Sequence, residues 1–251
     1  MITLQDLFRF LDALFPTEGV LDACHNGLQV EGKGEIRKIA LAVSASLAVI
    51  EKAVSIGADA LIVHHGLFWK NDPLYLSGSK RSKLALLLAH DISLFAYHLP
   101  LDAHPSLGNN WRAAIELGWK QLESFGISNG YPIGVKGAFP ALPVQEFTRK
   151  LVDYYGHKAV LALGGKEEVS SAALLSGGGH RYIEQAVREG VDCFVTGSFD
   201  LPVWDIALED QINFVAMGHH ATERVGLLAL QSHLQDHLGL PLEFIDLPNP
   251  F

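Results

Sequence analysis

Cysteine is nearly absent: the 251 residues include only Cys24 and Cys193, and neither lies in a C-x-x-C pair. That argues against a disulfide framework and against a thiolate zinc site, and leaves each thiol as a small apolar residue. Basic clusters are missing too. Lys and Arg number 19 against 28 Asp and Glu, for a formal net charge of −9, so no dedicated nucleic-acid surface is expected. A small anionic substrate held by a metal is still compatible with that balance. No apolar run is long enough to span a bilayer, because the most hydrophobic stretches are broken by His90, Asp91 and His98. The opening MITLQDLFRFLDALF carries Asp6 and Asp12 and lacks the basic start and apolar core of a signal peptide. A cytoplasmic protein without a membrane partner is the expectation. There is no Walker lysine, no complete G-x-G-x-x-G and no G-x-S-x-G elbow, which disfavours a nucleotide-binding loop and a serine hydrolase.

What remains is abundant: 49% hydrophobic residues in short runs, alternating with helical periodicity. Leu4, Leu7, Phe8, Leu11, Leu14 and Phe15 form a helical stripe before Pro16. After a turn-rich HNGLQVEGKGE segment, strands are expected over 36–44, 59–63 and 92–97, with helices over 46–56, 80–90 and 111–117. In the second half, strands are expected over 131–139, 158–163, 172–175, 192–196, 212–217 and 242–246, and helices over 144–155, 181–189, 202–209 and 223–238. The two halves echo one another. IEKAVSIGADALIV (50–63) aligns without gaps on IEQAVREGVDCFVT (183–196), with six identities. In the same register 39–46 falls on 172–179, and 92–97 falls on 212–217 after a shorter connection. This predicts an α/β protein of two related units with largely parallel sheets, residues 1–125 and 126–251, and a metal site in the cleft between them.

The case for metal rests on three fragments: ALIVHHG (60–66), LFAYHLPLDAH (94–104) and FVAMGHHATE (214–223). Each ends an apolar, strand-like run in His or carboxylate residues, and in open α/β sheets ligands bind beyond the carboxyl ends of the strands. His64 and His65 are adjacent, so on a regular strand they point to opposite sides; they would serve different ions unless the chain turns there. His219 and Glu223 are four apart at a helix start, which stacks them on one face. Asp102 is expected in a proline-containing loop with its carboxylate able to bridge. Three imidazoles and two carboxylates underfill two ions and leave positions for water and substrate. The mixed N/O donors suit Zn, Mn, Fe or Ni. His98 is a candidate proton carrier, and His104 and His220 candidate outer hydrogen-bond partners. Ser176-Gly-Gly-Gly179 is expected as either a phosphate cradle or a tight turn.

NGLQVEG (26–32), GADALIVHHGLFW (57–69), HLPLDAHPSLGNN (98–110), SGGG (176–179) and GHHATE (218–223) occur in the order found in the Ngg-interacting-factor-three-like family, which the chain resembles over essentially its whole length. Bacterial members are commonly named GTP cyclohydrolase 1 type 2 homologues. The resemblance implies two divalent ions on His64, His65, Asp102, His219 and Glu223, and a homo-oligomer, often a ring-like homohexamer. Where many members carry an acid after the TG of the second half, this chain has Ser198, with Asp200 two residues on. The expectation is a dinuclear metal-dependent hydrolase acting on a nucleotide, GTP being the family's suggestion, or on a related small molecule. The alternatives are a non-catalytic metal-binding or metal-delivery protein and an assembly scaffold.

Overall fold

The computed structural model describes residues 1–251. In chain order the elements are β1 (Ile2–Thr3), α1 (Leu4–Leu14), β2 (Gly27–Val30), β3 (Glu35–Ile36), β4 (Ile39–Ser44), α2 (Leu47–Ser55), β5 (Ala60–His65), α3 (Gly78–Ala89), β6 (Ser93–Ala96), α4 (Leu99–Ala103) and α5 (Asn109–Glu116). They continue with β7 (Lys120–Ser128), β8 (Tyr131–Pro143), α6 (Val144–Tyr155), β9 (Val160–Leu163), β10 (Glu168–Leu175), a 3₁₀ turn (Gly179–Tyr182) and α7 (Ile183–Arg188). The chain ends with β11 (Cys193–Thr196), α8 (Leu201–Glu209), β12 (Asn213–Ala216), α9 (His219–Leu238) and β13 (Leu242–Phe244). No helix is long and apolar enough to cross a membrane.

The chain divides into two compact units. One comprises Met1–Leu101 and Leu227–Pro248, the other Asp102–Gly226 and Asn249–Phe251. This partition differs from a single break near residue 125, for a physical reason. The final strand β13 adds in parallel to β4, pairing Leu242 with Ile39 and Phe244 with Leu41. Ile245 N–H then donates to Leu41 C=O at 2.7 Å. On the same unit, Phe10 of α1 lies 5.9 Å from the His233 and His237 rings of α9. At the other boundary the β7–β8 hairpin pairs with β10, so the chain from Asp102 to Gly226 gathers around the second sheet.

The first unit's sheet has the order β13-β4-β5-β6-β2, the second's β7-β8-β10-β11-β12-β9. Both contain three parallel strands joined by helical crossovers, and a preceding strand that pairs antiparallel with the third (β2 with β6, β9 with β12). The registers coincide as well. Ile39 pairs with Ala60, and Ala172, 133 positions on, pairs with Cys193. Gly27 pairs with Ala96, and Val160 pairs with Ala216. Strand β2 lies inside the segment expected as turn, because it opens on Gly27 and is flanked by Asn26, Gly32 and Gly34.

The repeat reaches individual hydrogen bonds. The buried Asp59 carboxylate accepts from the N–H groups of Arg37 and Lys38 at 2.6 and 3.0 Å and pairs with Lys33. Its counterpart Asp192 accepts from Ser170 N–H at 3.0 Å and pairs with Lys166 at 2.6 Å. Gly32 N–H donates to Ser93 Oγ, and Gly165 N–H to Asn213 Oδ1. Asp91 and Gln211, each just before a third strand, have φ of 50° and 55°, a left-handed conformation that is uncommon outside glycine.

The central strands are apolar on both faces, as expected where crossover helices cover a parallel sheet. All of Ser93–Ala96, Cys193–Thr196 and Asn213–Ala216 is buried. In the second unit Phe125, Phe194 and Phe214 interlock at centroid distances of 5.6 and 5.9 Å. Each fully buried ring of this kind contributes about 1.5–3 kcal/mol by leaving water.

Candidate metal centre

In the first unit, the carboxyl ends of β4, β5 and β6 present Ser44, His64–His65 and Tyr97–His98. The His64 and His65 ring centroids are 4.6 Å apart, with His98 at 4.9 Å from His64 and 5.6 Å from His65. One ligand-type atom from each of the three lies within 4.8 Å of the others. The strand end thus brings the adjacent histidines side by side rather than on opposite faces.

Each ring is held by an oxygen at Nδ1: His64 by the Tyr97 carbonyl at 3.1 Å, His65 by Ser44 Oγ at 2.9 Å, His98 by Asp22 Oδ1 at 2.7 Å. A carbonyl and a carboxylate only accept, so His64 and His98 each carry a proton on Nδ1. Asp22 is buried and fully engaged. It also accepts from Cys24 N–H at 3.1 Å, Asn26 Nδ2 at 2.9 Å and Leu99 N–H at 2.9 Å. Burial alone would push its carboxyl up; the hydrogen bond and charge of His98, with the Asn26 and Leu99 donors, outweigh that and hold it well below the usual carboxylate range. Trp69 sets its ring edge-on to His98 at 5.2 Å.

In the second unit, α9 begins at His219, and His219 Nε2 meets Glu223 Oε1 one turn later at 3.1 Å. His219 Nδ1 is 3.0 Å from Ser198 Oγ. Ser198 therefore holds this ring by hydrogen bond. Asp102 departs from expectation: it lies within α4, not in an open loop, and is 7% exposed. Its Oδ1 accepts from Asn109 Nδ2 at 2.8 Å and Ser176 Oγ at 3.0 Å. Asn110 accepts from Ser176 N–H, and Gly177 N–H donates to Thr222 Oγ1 at 2.9 Å. The Ser176–Gly177 turn is thus a brace between Asp102 and the start of α9, and those two N–H groups are not a phosphate cradle.

Sequence reasoning missed Asp22, Asn26, Ser44 and Asn109. Asp22 precedes the stretch read as turn and Asn26 lies within it, and their role appears only when β2 folds beside β6. His104 accepts from Leu107 N–H at 3.1 Å, which makes it a loop cap. Both cysteines are buried thiols. Burial pushes Cys24 up to about 11 and Cys193 higher still, so neither is a nucleophile at neutral pH.

The fold and these strand-end residues define a class: a two-unit α/β protein with groups of His and Glu that could bind a metal ion. The particular family follows from comparison. The model of Duf34/NIF3 (NGG1p interacting factor 3) matches residues 2–250, and the chain belongs to that family. A protein of Chlamydia trachomatis named "GTP cyclohydrolase 1 type 2 homolog" is 48% identical over 255 residues, covering 100% of both chains. One of that name from Escherichia coli K12 is 41% identical and covers 98% of each. The crystal structure of TTHA1606 from Thermus thermophilus matches with a TM-score of 0.92 at 35% identity, covering 100% of both chains.

Proposed function

We propose that the protein binds two divalent ions through His64, His65, Asp102, His219 and Glu223 and uses them to hydrolyse a nucleotide or related small molecule. The observation that carries this reading is the oxygen at Nδ1 of His64, His65 and His219 alike. Metal-binding histidines characteristically have their second nitrogen fixed in this way. The donor chemistry fits: imidazoles with carboxylates suit Zn, Mn, Fe or Ni. Such an ion would supply Lewis acidity toward a carbonyl or phosphoryl oxygen. The chain's own residues hold that geometry in advance. Ser44, Ser198 and the Tyr97 carbonyl orient rings, while Asn109 and Ser176 fix the Asp102 carboxylate. The name carried by the relatives makes GTP the first substrate to test.

Protein purified without chelator should hold close to two ions per chain by elemental analysis. The combined His64→Ala and His219→Ala variant should lose most of them. Hydrolysis of GTP, or of another member of a nucleotide panel, should disappear on metal removal and return on readdition. Turnover that survives complete stripping, or full metal content in the double variant, refutes the reading. A metal-loaded protein inert toward the whole panel leaves the binding half and refutes the catalytic half.

A further inference from the structure

A close pair of imidazoles lies away from the candidate centre, in the last turns of α9. His233 and His237 are four residues apart on that helix, a spacing that stacks both side chains on one face. Their ring centroids are 4.1 Å apart at an interplanar angle of 35°. Phe10 of α1 lies 5.9 Å from each ring and walls one side of the pair. His237 Nδ1 meets the His233 carbonyl at 2.8 Å. A carbonyl only accepts, so His237 carries a proton there, and in the neutral ring the lone pair is left on Nε2. Metal-bound histidines characteristically have their second nitrogen fixed in this way. His233 is partly buried. Burial, and after it the neighbouring His237, hold it below the ordinary histidine value against the opposing charge of Asp236. The neutral ring is the form that binds a metal. All of these residues belong to the first unit.

Two imidazoles bound through Nε2 at about 2.0–2.1 Å place their centroids about 4.5 Å apart when the donors are at a right angle, and about 5.2 Å apart at the tetrahedral angle. The observed 4.1 Å lies nearer the right-angle value. Right-angle nitrogen donors match the square-planar and tetragonal preference of Cu²⁺ and Ni²⁺ rather than that of zinc. We propose that His233 and His237 form a separate chelating site for Cu²⁺ or Ni²⁺ on the exposed face of α9. Two protein donors leave the remaining positions to water, so the site captures its ion reversibly and is not a closed structural centre. The bound ion bridges successive turns of α9 and favours the folded helix by mass action. The site shares no donor with His64, His65, Asp102, His219 and Glu223, and it does not depend on the function proposed for them.

The experiment uses the full chain, stripped of metal, with Ni²⁺ and Cu²⁺ as probes and a chromophoric chelator as competitor. The combined His64→Ala and His219→Ala variant serves as background, because it disables the candidate centre. It should still bind one Ni²⁺ per chain, and its melting temperature should climb with Ni²⁺ concentration. Adding His233→Gln or His237→Gln should weaken that ion on the order of a hundredfold, since a single imidazole loses the advantage of the linked pair. His90→Gln, a change at an exposed histidine elsewhere, should leave it unaltered. Cu²⁺ in the background should give an electron paramagnetic resonance spectrum of two equatorial imidazole nitrogens, reduced to one by either change. Melting in chelator should be the same with and without the His233 and His237 changes, which separates donor loss from misfolding. If the background does not fold, the same comparison is made in the unaltered protein, where His233→Gln with His237→Gln should remove one Ni²⁺ per chain and leave the others. Equal Ni²⁺ affinity and an equal Cu²⁺ spectrum with and without these changes overturn the site. An equal loss with His90→Gln also overturns it, as adventitious binding by surface histidines. Neither result touches the two ions proposed for the other five residues.

Discussion

At the scale of single residues, the site is a matter of what each polar atom touches. Gly177 shows how little room there is. Its φ is +61°, and a Cβ there would run into the Glu223 carboxylate and stand 3.0 Å from His219 Nε2. Gly177→Ala should therefore displace both side chains. Metal content should drop toward that of a His219→Ala/Glu223→Gln variant, with about 1–3 kcal/mol of backbone strain lowering the melting temperature. At Gly178 a Cβ meets nothing closer than 3.7 Å, so Gly178→Ala is the control and should keep its metal. Asp102 carries a structural load as well as a donor. Asp102→Ala would strand two buried donors, Asn109 Nδ2 and Ser176 Oγ, at about 1–3 kcal/mol. Urea unfolding should detect that loss in metal-free protein; an unchanged midpoint would show that the carboxylate serves metal alone.

At the scale of elements, the two sheets carry the same clasp. Asp59 and Asp192 each tie the loop before the first parallel strand to the start of the second, through backbone N–H donors and a lysine. Burial works against the charge of each; in Asp59 the Lys33, Arg37 and Lys38 donors win, and in Asp192 Lys166 with Ser170 and Ser171, so both carboxyls sit below the ordinary aspartate value. The sign follows. A depressed folded-state value gives stability that is complete above about pH 4, the unfolded aspartate value, and disappears as pH falls through the folded one. Asp59→Asn and Asp192→Asn should each destabilise at pH 7 by about 1–3 kcal/mol. The gap to the unaltered protein should narrow as the pH is taken below about 4. Equal destabilisation at pH 7 and pH 3 would show that charge is not what the clasp uses.

At the scale of the molecule, chain order and spatial order part company. The segment Leu227–Pro248 belongs to the first unit although it follows the whole of the second. A fragment ending at residue 125 would lack β13, leaving the outer edge of β4 unpaired along Ile39, Ala40 and Leu41, and would lack the α9 residues that contact Phe10. That fragment should show no cooperative urea transition by circular dichroism. Joining Leu227–Pro248 to Met1–Leu101 through a short flexible linker should restore one. A sharp transition in the 1–125 fragment alone would show that the first unit does not depend on the returning segment.

The sequence by itself determined everything that period and local chemistry encode. The helical stripe of α1 and the parallel strands at 39–44, 60–65 and 93–96 were legible because a buried strand needs a short apolar run and a helix a 3.6-residue period. The repeat was legible because Gly57 and Gly190 end equivalent helices and Asp59 and Asp192 open equivalent strands. His219 with Glu223 was legible because a four-residue spacing at a helix start fixes one face. Tertiary structure alone decided the rest. It placed β13 beside β4, an edge pairing that no pattern within LEF encodes. It put Asp102 inside a short helix and under Asn109 and Ser176, where the PLDAHP composition had suggested open loop. It also brought Asp22 against His98 across 76 positions of chain. A hydrogen bond between residues so far apart has no signature in local spacing, because the fold of the strands between them is what makes the two atoms neighbours.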